Sequence, residues 1–239
     1  MTELCLYQTV HVARGRARNV AAHAALLDAA SRALFGRSYA PDPARLAARI
    51  EALAAAERYP AGVSGFVRLE LTPEGGERLL AAGISLYDGY ALRSLSPAAV
   101  TLRYGPLCPE APTSAREAAE LLAARLAALR GAAAAVRCDA EERLLTADGA
   151  PLFAVRGHTV YTAPAPASVE GCLAREAVRA AGLTLREEPL RRRELPRAEE
   201  LFYADHRGIT ALSRCDGQPL MTLVAERVAE ALEGLFPKK

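Results

Sequence analysis

Between Tyr104 and Pro112 the chain reads YGPLCPEAP, three prolines and a glycine in nine residues. This segment constrains the fold most. Proline fixes φ and removes a backbone donor, so neither a helix nor an internal strand can run through it. Such a stretch suits a connection between domains. The 239 residues suffice for two units with separate cores, and the spacing predicts an N-terminal α/β domain over 1–105 and an α+β domain over 113–239.

Hydrophobic periodicity supports that division. In the first part, strand 4–12 precedes a helix over 18–35 whose apolar face carries Val20, His23, Ala24, Leu27, Ala30 and Leu34. Asp42-Pro43 starts a second helix, a capping side chain before proline at the first helical position. Strands are expected at 65–71, 79–87 and 100–104. In the second part, Ser114-Ala115-Arg116-Glu117 has capping-box spacing before a helix to Arg130. Short strands follow near 134–138, 143–145, 152–155 and 159–161. A helix over 168–181, strands 183–188, 200–204 and 209–213, a turn at Asp216-Gly217 and a helix over 220–235 complete it.

Composition excludes several partners. Basic residues number 30 and acidic residues 28, interleaved to a net +2, so no field favours nucleic acid. The run Arg191–Arg193 is bracketed by Glu187, Glu188 and Glu194 and reads as a solvated face. The longest uncharged stretch, 157–169, is broken by His158, Pro164 and Pro166 and falls short of a membrane span. With Glu3 at the start and Arg14 soon after, no signal peptide is expected, and the cytoplasm is the expected compartment. The five cysteines, Cys5, Cys108, Cys138, Cys172 and Cys215, form no C-x-x-C pair and read as reduced structural thiols. Only two residues are lysines, Lys238 and Lys239, at the end of the chain.

Several strings in order resemble the class IV pyridoxal-phosphate aminotransferases, the family of D-amino-acid and branched-chain aminotransferases and aminodeoxychorismate lyase. LYQTVHVARGRARNVAAHAALLDAASRALFG resembles the family's first strand and helix, and FAVRGHTVYTAP its F-x-V-x-x-G-x-x-Y-T-P stretch. GLTLREEPL through EELFYADHRGITALSRCDG is similar to its E-x-F…R-G-I…D-G ending. The resemblance implies an α+β, two-domain class IV (D-amino-acid aminotransferase-like) fold. It also implies a homodimer, because the family builds its cleft partly from a neighbouring subunit.

In the family a lysine at the domain junction forms a Schiff base with the cofactor and moves the α-proton; here Pro112 aligns with it, and arginine cannot replace a deprotonated amine. The family's phosphate-binding arginine aligns with Leu26. The loop bearing its pyridine-pairing glutamate is shortened to Asp148–Phe153, and Glu170 in SVEGC would repel an anion. These departures lead to the expectation of no bound cofactor, pyridoxal phosphate being the family's, no catalytic residue and a non-catalytic role. The alternative is a pyridoxal-phosphate aminotransferase or lyase-like enzyme with an atypical site.

Among His11, His23, His158 and His206 none has metal-ligand spacing, and His23 reads as a hydrogen-bonded core residue. No metal is expected. Asp205-His206-Arg207-Gly208 falls in the segment that lines the family's cofactor pocket; a catalytic pair, a ligand contact and a structural turn all remain open. With Arg68 it forms the candidate ligand site, suited to a small carboxylate or phosphate. The competing reading pairs Arg68 with Glu70 and Arg207 with Asp205.

Overall fold

The computed structural model describes residues 4–60, 62–164 and 168–236. The chain forms two compact units, Met1–Gly89 with Cys108–Arg116 and Tyr90–Leu107 with Glu117–Lys239. Among the described residues no helix is long and apolar enough to cross a membrane.

The first unit holds β1 (Leu6–Ala13), β2 (Arg16–Ala17), α1 (Val20–Phe35), α2 (Pro43–Ala56), β3 (Gly65–Leu71) and β4 (Glu77–Ile84). Its antiparallel sheet has the order β2-β1-β3-β4. The Asp42 carboxylate accepts the Ala44 and Arg45 amides at 2.9 Å, so α2 starts where its cap and proline predict. One sheet face buries Leu6, Val10, Val12, Val67, Leu69 and Leu71 against Leu27, Leu46 and Ile50. His23 is fully buried and its Nδ1 pairs with Gln8 Oε1 at 2.9 Å.

The second unit continues with β5 (Ala91–Leu92), β6 (Ala98–Arg103), α3 (Ser114–Leu129, whose first turn belongs to the first unit), β7 (Ala134–Cys138), β8 (Leu144–Ala147), β9 (Ala150–Arg156) and β10 (Thr159–Thr162). After these come α4 (Val169–Ala180), β11 (Thr184–Arg186), a 3-10 turn Arg192–Arg197, β12 (Glu200–Asp205), β13 (Gly208–Ala211), β14 (Arg214–Cys215), β15 (Gln218–Pro219) and α5 (Leu223–Gly234). The sheet path is β15-β14-β6-β7-β8-β9-β12-β13-β5, with β10 on β9 and β11 on β10. Residues 90–107 thus pair with strands of this unit, β6 lying parallel to β7 and β14.

Because successive strand residues face opposite sides, β9 and β12 bury both faces. Phe153, Val155, Phe202 and Ala204 pack with Val178 and Val228 of α4 and α5, while Leu152, Ala154, Leu201 and Tyr203 pack with Val136 and Leu212. The Phe153 and Phe202 rings stack at 5.1 Å.

One local expectation is corrected by a contact from afar. The cap of α3 is Thr113, whose Oγ1 accepts the Arg116 amide at 3.0 Å; the Ser114 hydroxyl is occupied by the Cys5 amide at 3.1 Å. The run 191–193 is exposed, as expected of a solvated face; Arg191 caps the 3-10 turn, and Arg192 within it reaches Asp216 at 3.2 Å.

Candidate functional site

The strands β12 and β13 form a hairpin in which Asp205 pairs with Gly208, leaving His206 and Arg207 as its two loop residues. Asp205 Oδ1 accepts the Arg207 backbone amide at 2.8 Å, and its Oδ2 accepts Arg207 Nε at 2.8 Å and also Nη2. Burial alone would raise the Asp205 carboxyl, but the charges of His206 and Arg207 hold it below its usual range. Burial depresses the His206 imidazole, with Arg207 and Arg93 acting the same way against the pull of Asp205. The Arg207 side chain keeps 38% of its surface exposed while Asp205 keeps 11%.

Two carboxyls that sequence reasoning had not grouped with this turn lie in its field. Asp148, at the β8–β9 turn, accepts the Ala135 amide at 2.9 Å and the Tyr203 hydroxyl at 3.3 Å. Burial raises its carboxyl, and burial with the nearby Asp148 and Asp205 pushes the Tyr203 phenol up to about 12. Glu170, in the first turn of α4, is buried; burial, reinforced by Asp205, raises it to about 7. The expected anion-repelling charge at Glu170 is therefore only about half present at neutral pH. The sequence singled out Asp148 at a shortened loop and Glu170 near a helix start but carried no signal of their burial, because the pairing of β8, β9 and β12 creates their environment.

Gly208 has φ 119°, and a Cβ there would stand 2.4 Å from the Ala91 carbonyl oxygen of the neighbouring β5. Its lack of a side chain is a packing requirement.

Arg68 lies in the other compact unit. The register sets Tyr7 opposite Glu70 and Thr9 opposite Arg68, all on the sheet face turned from α1 and α2. Arg68 Nε donates to Glu70 Oε1 at 2.8 Å and its guanidinium lies 3.8 Å over the Tyr7 ring, while Arg78 approaches Glu70 Oε2 at 3.3 Å. Both candidate arginines are thus ion-paired with the carboxylates of the competing reading, and Arg207 is the more exposed of the two. Among the described residues no group of three His, Cys, Asp or Glu side chains could hold a metal ion.

The family model for amino-transferase class IV matches residues 5–205. The chain belongs to the class IV aminotransferase family. Solved structures agree on the fold. A branched-chain aminotransferase from Thermoproteus uzoniensis with norvaline matches at TM-score 0.80 and 16% identity, over 96% of this chain and 84% of that one. An aminotransferase from Brucella abortus bound to the cofactor PLP matches at 0.78 and 18%, over 95% and 87%. A hypothetical aminotransferase from Mycobacterium tuberculosis, in its alpha-ketoglutarate and PMP bound form, matches at 0.75 and 20%, over 97% and 90%. No curated protein matches.

These relatives correct the expectation of no cofactor. The Brucella abortus protein holds PLP and the Mycobacterium tuberculosis protein PMP, so pyridoxal phosphate belongs to the family. The residue types at the β12–β13 turn, with Asp148 of the β8–β9 turn and Glu170 of α4 in its field, are compatible with non-covalent contacts to such a group. Arg207 offers donors for a phosphate, and the carboxyls of Asp148 and Glu170 are acceptors for a pyridine N–H. Covalent attachment would need a lysine, and the only two lie outside the described residues at 238 and 239.

Proposed function

We propose that this class IV family member binds a small anionic ligand, pyridoxal or pyridoxamine phosphate included, without covalent attachment, and does not carry out lysine-dependent amino transfer. One observation carries the reading: no lysine precedes Lys238, and a protonated guanidinium can neither attack a carbonyl nor take up a proton.

Pyridoxal phosphate, when bound, supplies an electron sink for bonds at a substrate α-carbon. The chain's own contribution is positional. Arg207 presents outward donors to an anion, and Asp205 fixes the rotamer of Arg207 through paired contacts. Tyr203 and Asp148 hold the base of the hairpin.

A second reading, an enzyme with an atypical site, is favoured by Glu170, which burial brings to about 7. A carboxyl titrating there can accept and return a proton at neutral pH. Equilibrium dialysis with pyridoxal phosphate, pyridoxamine phosphate and 2-keto acids tests the first reading, repeated on Arg207→Ala and Arg68→Ala. Saturable binding weakened by either substitution, with no amino transfer between amino and keto acids, is the expected result. Turnover abolished by Lys238→Arg with Lys239→Arg overturns it, and turnover abolished by Glu170→Gln alone establishes the second.

A further inference from the structure

A concavity of the second unit shares no residue with the β12–β13 turn. It has a volume of about 460 Å³ and lies between the 3-10 turn Arg192–Arg197 and the hairpin of β14 and β15. Both walls are fixed by the fold. Asp216 and Gly217 are the two loop residues of the hairpin, with φ of 48° and 83°, the left-handed pair that a tight turn of this kind needs. The Asp216 carboxylate clamps the hairpin to β6, accepting the Thr101 amide at 2.8 Å and the Thr101 hydroxyl at 2.6 Å. On the other wall the Arg192 amide donates to the Glu142 carbonyl at 2.8 Å, and the Arg191 amide to Glu194 Oε2 at 2.9 Å. A cavity held open on both sides takes a ligand without the cost of ordering its walls.

The lining combines apolar surface with a few polar groups, the pattern of small-molecule sites. Buried Leu195 and Cys215 and the exposed rings of Pro196 and Pro219 supply the apolar part. Burial, with the Asp216 charge, pushes the Cys215 thiol up to about 12, so that surface stays uncharged. The cation of the lining is Arg192. Its Nε donates to Asp216 Oδ2 at 3.2 Å, which orients the guanidinium, while its Nη groups have no acceptor among the described residues. The Gln218 side-chain amide, also on the lining, has no partner among them either. Both oxygens of Asp216, by contrast, are already taken by Thr101 and Arg192.

We propose that this cavity is a second ligand site, for a small monocarboxylate with a compact apolar body, its carboxylate on the Nη edge of Arg192 and its body against Leu195, Pro196 and Pro219. A guanidinium edge matches a carboxylate through two parallel N–H···O bonds, and the Gln218 amide adds a neutral donor. The Asp216 carboxylate on the same cation disfavours a dianion such as phosphate. A ligand without the negative charge forfeits Arg192, and one without hydrocarbon forfeits the walls. Because the Arg192 side chain is 47% exposed, water screens its charge, and affinity rests on the walls as much as on the ion pair. The site is independent of the anion proposed for Arg207 and Arg68.

The test is amide chemical-shift mapping of the full chain by heteronuclear magnetic resonance, with benzoate as the probe and acetate, inorganic phosphate and benzyl alcohol as comparisons. Benzoate is expected to shift the amides of Arg192, Leu195, Gly217 and Gln218 saturably, with a midpoint on the order of 1 mM for a ligand of about nine non-hydrogen atoms. Each comparison compound is expected to bind about ten-fold more weakly or worse. Arg192→Gln removes the charge and the paired edge and is expected to weaken benzoate about ten-fold or more. Should that variant misfold, Gln218→Glu decides: it leaves the Arg192 and Asp216 pair in place, sets a like charge beside the ligand, and is expected to weaken benzoate to a similar extent. Arg207→Ala is expected to leave these shifts unchanged, so either site can fail without the other. No saturable shift at the named amides, equal shifts with benzyl alcohol, or unchanged benzoate affinity in a folded Arg192→Gln or Gln218→Glu overturns the proposal. Shifts confined to His206, Arg207 and Gly208 also overturn it and assign the anion to the β12–β13 turn alone.

Discussion

Glu200, buried on β12, accepts the backbone amide of Val224 at 2.8 Å and that of Ala225 at 2.9 Å, so one strand supplies the cap for the first turn of α5. Thr222, the residue at the cap position, makes no side-chain cap bond. The acidic residue of the E-x-F string is therefore an anchor between a strand and a helix, where its charge also meets the positive end of the helix.

Glu200→Ala removes this anchor and leaves two amides at the start of α5 without an acceptor, at a cost of about 2–3 kcal/mol. For a chain of this length the melting temperature should fall by roughly 4–12 °C. Thermal unfolding by circular dichroism checks it; a fall of less than a degree would mean that water satisfies both amides.

Gly208→Ala places a methyl group against the Ala91 carbonyl at a φ that side chains avoid. A loss of about 3 kcal/mol or more is expected. Gly217→Ala, at φ 83° with nothing within 4 Å of its Cβ, should cost only about 1–2 kcal/mol. Urea titration of both variants gives the comparison, and equal losses would remove the β5 contact as the cause.

The buried carboxyl of Glu170 ties stability to pH. Burial, with help from Asp205, raises it from 4.5 to about 7, so the folded state holds a proton that the unfolded chain releases sooner. The protonated form's full stability is present below pH 4.5 and declines as pH rises through 7, by about 3 kcal/mol in all. Glu170→Gln should flatten the profile between about pH 5 and pH 8. Parallel urea titrations of variant and wild type would reject the assignment if both lost stability equally.

Thiol titration should separate the five cysteines. Cys172 is exposed and Cys108 half-buried, whereas Cys5, Cys138 and Cys215 are buried. Burial raises all three buried thiols, Cys215 to about 12. An aromatic disulfide reagent at about pH 8 should modify Cys172 quickly, Cys108 more slowly and the remaining three only in denaturant. A third fast thiol in the native protein would contradict this packing.

Several features were legible in the sequence because their causes are local. The Asp42-Pro43 start of α2 and the Asp148-Gly149 and Asp216-Gly217 turns need only a side chain and its neighbours, and all three are present. The apolar face of α1 follows from period from Val20 to Ala30, while Leu34, expected on the same face, is 41% exposed at the last turn. The missing internal lysine also needs no fold to be seen, and it limits the chemistry wherever the chain folds.

Tertiary structure decided what depends on partners distant along the chain. The two-residue strands β2, β5, β14 and β15 have too little sequence to signal themselves and exist because another strand accepts them. Residues 90–107 join the second unit through β6 lying between β7 and β14. Thr113 takes the cap of α3 because Cys5 occupies Ser114, and Glu200 becomes a cap because α5 begins beside it. Glu170 and Asp148 acquire raised carboxyl affinities for protons only once burial removes their water. Hydrogen-bond partners and dielectric surroundings are properties of neighbours in space, and a linear pattern carries only neighbours in sequence.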